Sequence, residues 1–138
     1  MLVLAENGAE LCDVMGDMFD KQPDEVAISN EAICKQMELI EKLHDMGAEV
    51  LISAHVGVAL NEAEGVALGK EMESRGADVA KMVLGSDANS NQQEVMQTNQ
   101  TLKNELNIKF YYNASGTASK PYRTASTLFG TYMVFCYA

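Results

Sequence analysis

A chain of 138 residues, 47% hydrophobic and 22% charged, has the length of about one domain and the composition of a globular rather than a disordered protein. Ten Lys and Arg against twenty Asp and Glu leave a net charge of −10. Such a surface repels phosphate backbones, and no basic stripe is interleaved with aromatics, so nucleic acid is not an expected partner. No apolar run approaches the roughly 18 residues of a membrane span, and Met1–Ala5 leads directly into Glu6 and Asn7 without a signal-peptide pattern. The expected compartment is the cytoplasm. Cys12, Cys34 and Cys136 are odd in number and widely spaced, which argues against a disulfide framework or a zinc site. They read as buried small hydrophobes.

Three stretches repeat one pattern: NGAELCDVMGD over 7–17, MGAEVLISAHVG over 46–57 and RGADVAKMVLG over 75–85. Each opens Gly-Ala-acid-aliphatic and continues as a short apolar run. Glycine takes the left-handed conformation after a helix at no steric cost, so each glycine stands where a helix would end and each apolar run should be a strand. Between them, after Ser29 or Asn30 as cap, Ile33, Met37, Ile40 and Leu43 recur at helical spacing to form one apolar face. A second helix is predicted over Asn61–Arg75, with Glu62 and Glu64 in its first turn, Val66, Leu68 and Met72 inside, and Lys70 and Arg75 placed late to suit the dipole. A third spans Asn91–Leu106. Then follow a strand over Ile108–Tyr112, a loop over 113–121, a short helix over Tyr122–Phe129 and a last strand over Tyr132–Ala138.

Apolar strands alternating with helices indicate an α/β fold with a parallel sheet covered by helices. An open doubly wound sheet and a (β/α)8 barrel both satisfy this order. No glycine-rich phosphate motif follows a strand, so nothing supports a nucleotide-binding sheet. A complete barrel normally takes about 250 residues, whereas this chain holds about five strands.

In parallel α/β folds the chemistry collects at the C-terminal ends of the strands, and three strands here carry polar residues that burial alone does not explain. Lys81 stands among Val79, Ala80, Met82 and Val83. It reads either as a snorkelling or carboxylate-paired lysine, or as an amine kept neutral by desolvation and able to attack a carbonyl. His55 closes an apolar run on the strand expected beside that of Lys81; a structural histidine and a proton carrier both fit. His44, in a helix's last turn, reads as solvated. Arg123 follows a glycine-containing loop and Pro121, and its planar fork suits either the surface or a bound carboxylate. Asp13 and Asp17 on the first strand lack the companions a metal would need. No metal or other cofactor is expected.

The segment EVLISAHVG, the lysine of GADVAKMVLG 26 residues after its histidine, and the arginine of SKPYRTASTLFGTYMVF 42 residues beyond that together resemble type I 3-dehydroquinate dehydratase. The resemblance runs from about Ala9 to the end of the chain. It implies parallel β/α units of a TIM (β/α)8 barrel, here the portion from the fourth to the eighth strand, with residues 1–138 as a single partial barrel domain. It also implies that Lys81 forms a Schiff base with the C3 ketone of 3-dehydroquinate. His55 would then take the C2 proton and help expel the C1 hydroxyl as water, while Arg123 holds the substrate carboxylate. Asp13 and Asp17, with Met15 between them, stand near the family's fourth-strand acidic pair and are candidate substrate-binding residues. The glutamate that orients the histidine in the family falls in the part not represented. An incomplete barrel is expected to self-associate or to associate with the missing part. Two other readings stay open: an imine-forming lyase of the class I aldolase type acting on another ketone, and a catalytically silent interaction domain derived from such a barrel.

Overall fold

The computed structural model describes residues 1–85, 92–116 and 119–135. A short helix, α1 (Leu2–Glu6), precedes four β/α repeats: β1 (Leu11–Met15), α2 (Asn30–Asp45), β2 (Glu49–Val56), α3 (Glu62–Ser74), β3 (Val79–Leu84), α4 (Gln92–Glu105), β4 (Lys109–Ala114) and α5 (Lys120–Ala125), followed by a 3-10 turn over Ser126–Phe129. The strands lie in the order β1-β2-β3-β4, every neighbouring pair parallel. The sheet therefore advances one strand at a time in one direction, as in a barrel, instead of reversing from a central strand as in a doubly wound sheet.

Local chemistry sets the element boundaries. Gly8, Gly47 and Gly76 take φ of 90°, 85° and 96° just past α1, α2 and α3, where a side chain on an L-residue would be strained. Ser29 caps α2 by accepting from Ala32 N. Asn61 and Glu64 form a reciprocal capping box on α3, worth about 1 kcal/mol in helix stability.

One sheet face packs on the helices. Val14, Val50, Ile52, Ala54, Ala80, Met82 and Tyr112 are fully buried there, with Ile40, Leu43, Met72 and Leu102 against them. At roughly 1.5–3 kcal/mol for each large apolar side chain removed from water, this layer supplies most of the drive to fold.

Three expectations change. The buried stripe of α2 is Ala32, Gln36, Ile40 and Leu43, while Met37 is exposed. The helix is turned by one residue because Gln36 Nε2 donates to Met15 O at 2.8 Å and Gln36 Oε1 accepts from the buried Arg75, which ties a polar residue inward. Tyr132–Phe135 form no strand: Tyr132 N donates to Phe110 O at 2.8 Å, but no ladder continues among the described residues, and the Phe135 ring packs edge-on against Tyr111. The described residues thus hold four strands rather than five, and the rest of the expected last strand, 136–138, lies outside them. Cys12 is buried as expected, but Cys34 is exposed on α2; Cys136 lies outside the described residues.

Candidate active site

Successive side chains of a strand point to opposite faces. With one face given to the helices, the register places Asp13, Ser53, His55, Lys81, Tyr111 and Asn113 on the other, the face that lines the interior of a barrel. Ser53 pairs with Lys81 across β2 and β3, and His55 lies two residues further toward the C-terminal end. The expected adjacency of the two strands is met.

Lys81 is 14% exposed. Its Nζ donates to Asp13 Oδ2 at 3.4 Å, and Asp13 Oδ1 accepts from Ser53 Oγ at 2.5 Å. Asp13 is half-exposed, so a nearly buried ammonium shares its carboxylate with solvent. The Phe135 ring centroid lies 5.2 Å from the same Nζ. At the opposite end of the face Lys109 Nζ bridges to Glu49 at 2.8 Å from β4 to β2, with Val79 fully buried on the strand between.

His55 is held by a residue that sequence reading did not single out. Oε2 of Glu25 accepts from both the backbone N of His55, at 2.9 Å, and its ring Nδ1, at 2.7 Å. A carboxylate can only accept, so Nδ1 carries the proton and Nε2 is the basic nitrogen. Glu25 sits at φ 55°, a left-handed backbone that non-glycine residues rarely adopt and that the surrounding structure must hold in place.

The 16–29 loop is organised to do so. Gly16 N donates to Ser53 O at 2.7 Å, Ala27 N donates to Gly16 O at 3.0 Å, and a Cβ on Gly16 would lie 2.5 Å from Glu25 O. Arg75, 3% exposed, donates from Nη1 to Gly16 O and Gln36 Oε1 and from Nη2 to Ala27 O. Arg75, the C-cap of α3, is thus also a buried clamp on this loop. Asp20 Oδ2 accepts from Ile28 N and Ser29 N, and the Ser29 backbone bond, the largest of several causes, holds the Asp20 carboxyl below its usual range. Asp17 is buried at 2% exposure, paired with Lys21 at 2.9 Å and accepting from Gln22 N. Its bonds are spent within the loop.

Arg123 is on α5, half-buried, with Nη2 donating to Gly116 O just past β4. It shares the C-terminal end of the sheet with His55 but makes no hydrogen bond to Lys81, His55 or Asp13 among the described residues. Structure therefore brings Lys81, Asp13, Ser53, His55 and Glu25 together and leaves Asp17 and Arg123 outside that group. His44, in the last turn of α2, bonds to Asp78 at 2.8 Å, away from these residues. Among the described residues no group of three or more His, Cys, Asp or Glu is arranged to hold a metal ion, and no helix is long and apolar enough to cross a membrane.

A parallel sheet advancing by single strands, with helices on one face and a carboxylate-paired lysine and a carboxylate-held histidine on the other, defines a portion of a (β/α) barrel. Among solved structures the chain is similar to type I 3-dehydroquinate dehydratase from Clostridium difficile with covalently modified comenic acid, with a TM-score of 0.78 and 19% identity over 97% of this chain and 49% of that one. It is also similar to 3-dehydroquinate dehydratases from Enterococcus faecalis, with a TM-score of 0.74 and 17% identity over 96% of this chain and 51% of the other, and from Geobacillus kaustophilus HTA426, with a TM-score of 0.68 and 17% identity over 94% and 62%. The chain has the fold of part of these barrels and spans about half the length of the first two. No protein-family model and no curated protein matches the sequence.

Proposed function

We propose that residues 1–138 act as one partial barrel domain of a 3-dehydroquinate dehydratase that works through a Schiff base on Lys81. The observation that carries this reading is the nearly buried Lys81 ammonium on the inner face beside Asp13, one strand from a His55 whose Nδ1 is bonded to Glu25. Those neighbours are what an imine mechanism needs. The lysine must lose a proton, and the iminium that replaces it stays positive, so Asp13 stabilises the charge before and after condensation. Condensation of the amine with the C3 ketone releases one water. The iminium then draws electrons from the adjacent carbon, His55 Nε2 takes the C2 proton, and the protonated imidazole returns a proton to the departing C1 hydroxyl, which leaves as a second water. Hydrolysis of the imine consumes one water and frees Lys81, so the net change is loss of one water. In this reading Arg123, on α5 at the same C-terminal end of the sheet, binds the substrate carboxylate.

The reading includes a small keto acid as substrate, a cytoplasmic setting within aromatic biosynthesis, and self-association or association with the rest of a barrel to cover the inner face. Exposed Leu11 and Met15 on β1 and Phe135 beyond β4 support that last element. Borohydride trapping followed by mass spectrometry tests the whole. A 3-dehydroquinate-dependent adduct on Lys81, lost in Lys81→Ala, is the expected result. Adducts only with other ketones would point to an aldolase-type lyase, and no adduct with any carbonyl compound would leave a silent barrel-derived domain.

A further inference from the structure

Asn113 is a polar residue of the inner face to which the reading above gives no role. It is 2% exposed, and its amide nitrogen Nδ2 is buried without a hydrogen-bond partner among the described residues. A buried donor without an acceptor costs stability, and native proteins keep few of them.

Its place in the sheet suggests what takes the bond. β4 sends Phe110, Tyr112 and Ala114 into the helix-covered core, so Tyr111 and Asn113 belong to the face of Lys81. Asn113 is in register with Val83, and Val83 with His55. Amide and imidazole therefore occupy one row at the C-terminal end of the sheet, two strand spacings apart, roughly 10 Å between Cα atoms. Lys81 stands on the strand between them, two residues before Val83.

We infer that Asn113 is a substrate-binding residue whose Nδ2 donates a hydrogen bond to an oxygen substituent of the carbonyl compound held by Lys81, on the side of the lysine away from His55. The inference rests on Lys81 being the imine-forming residue. It narrows the substrate to a polyhydroxylated ketone, one that carries a ring hydroxyl besides the carbonyl that condenses. A ligand reaching Lys81 displaces the Phe135 ring, which is 52% exposed and 5.2 Å from Nζ. A half-exposed ring gives way more readily than a core side chain.

Asn113→Leu removes the amide at nearly constant size, and two probes separate its role: 3-dehydroquinate and 3-oxocyclohexanecarboxylate, a keto acid without ring hydroxyls. Borohydride trapping at Lys81, measured against probe concentration in the full chain, should need about tenfold more 3-dehydroquinate in the variant. The requirement for 3-oxocyclohexanecarboxylate should stay within about twofold. The variant should melt no lower than the unsubstituted chain, because an unpaired amide has been replaced by an apolar group. Asn113→Ser, which keeps a donor, should recover part of the 3-dehydroquinate affinity. An equal change for both probes, no change for either, or a lower melting temperature in Asn113→Leu overturns the inference. If the unsubstituted chain forms no adduct with either probe, the imine reading fails and takes this inference with it; adducts without selectivity sink only the role of Asn113.

Discussion

One carboxylate oxygen, Glu25 Oε2, holds His55 at both its backbone N–H and its ring Nδ1, at 2.9 and 2.7 Å. The two contacts fix the ring's position along the strand and its tautomer together, leaving Nε2 as the unprotonated nitrogen. His55→Ala should therefore slow proton abstraction by more than ~100-fold while imine still forms at Lys81. Glu25→Ala should lower kcat by about tenfold with a smaller change in KM, since it disturbs the base rather than substrate binding. Pre-steady-state dehydration assays of both variants check this, and an unchanged rate in His55→Ala would sink the assigned role.

Gly16 is where the loop bearing Glu25 crosses the end of β1. Its Cβ in Gly16→Ala would meet Glu25 O at 2.5 Å and Ser53 O at 3.3 Å, both backbone atoms that cannot rotate away. The substitution should cost about 1–3 kcal/mol in denaturant unfolding, and it should also weaken the hold on His55. A midpoint equal to that of the unsubstituted chain would show that the loop is softer than its packing implies.

Arg75 serves the same loop from below. Arg75→Ala leaves Ala27 O and Gln36 Oε1 without the guanidinium donors they now have, while Gly16 O keeps its bond from Ala27 N. Each orphaned buried acceptor costs about 1–3 kcal/mol, so a loss of at least ~2 kcal/mol is expected. Chemical denaturation measures it; Arg75→Lys should rescue only partly, because an ammonium lacks the planar fork.

Tyr112 is fully buried against α3 and α4, and desolvation pushes its hydroxyl up to about 12. The folded state thus favours the neutral phenol. That contribution is complete below the unfolded value near 10.0, erodes as pH rises above it, and is gone once the folded group ionises near 12. Alkaline difference spectroscopy should show one phenolate appearing only near pH 12, absent in Tyr112→Phe, with stability declining above pH 10 in the parent chain. A phenolate that appears with the exposed tyrosines would show the site to be wet.

Asp20 has the opposite sign. Bonds from Ser29 and Ile28 lower its folded value, so its contribution is present above the unfolded carboxyl range and lost as acid protonates the folded group. The 16–29 loop should become susceptible to limited proteolysis on acidification through that range, and Asp20→Asn should be susceptible already at neutral pH. Equal resistance in the two proteins would argue against it.

Much of this architecture was legible in one dimension. Glycine followed by an acid and an apolar run marks the end of a helix and the start of a strand for local steric reasons, and that pattern located β1, β2 and β3. A lysine among aliphatic residues and a histidine ending an apolar strand signalled the candidate site because buried polar groups need a reason to be there. Tertiary structure alone decided the rest. The face of α2 is turned because Gln36 finds Met15 O and Arg75, partners 21 and 39 residues away. Glu25 reaches His55 across 30 residues through a left-handed backbone that no local preference of glutamate predicts. Asn113 joins the row of His55 only because β2, β3 and β4 pair in one register, and Asp17, the same residue type as Asp13, is taken up by its own loop instead. Periodicity and steric preference are local and can be read along the chain; which distant polar atoms satisfy one another is settled by packing.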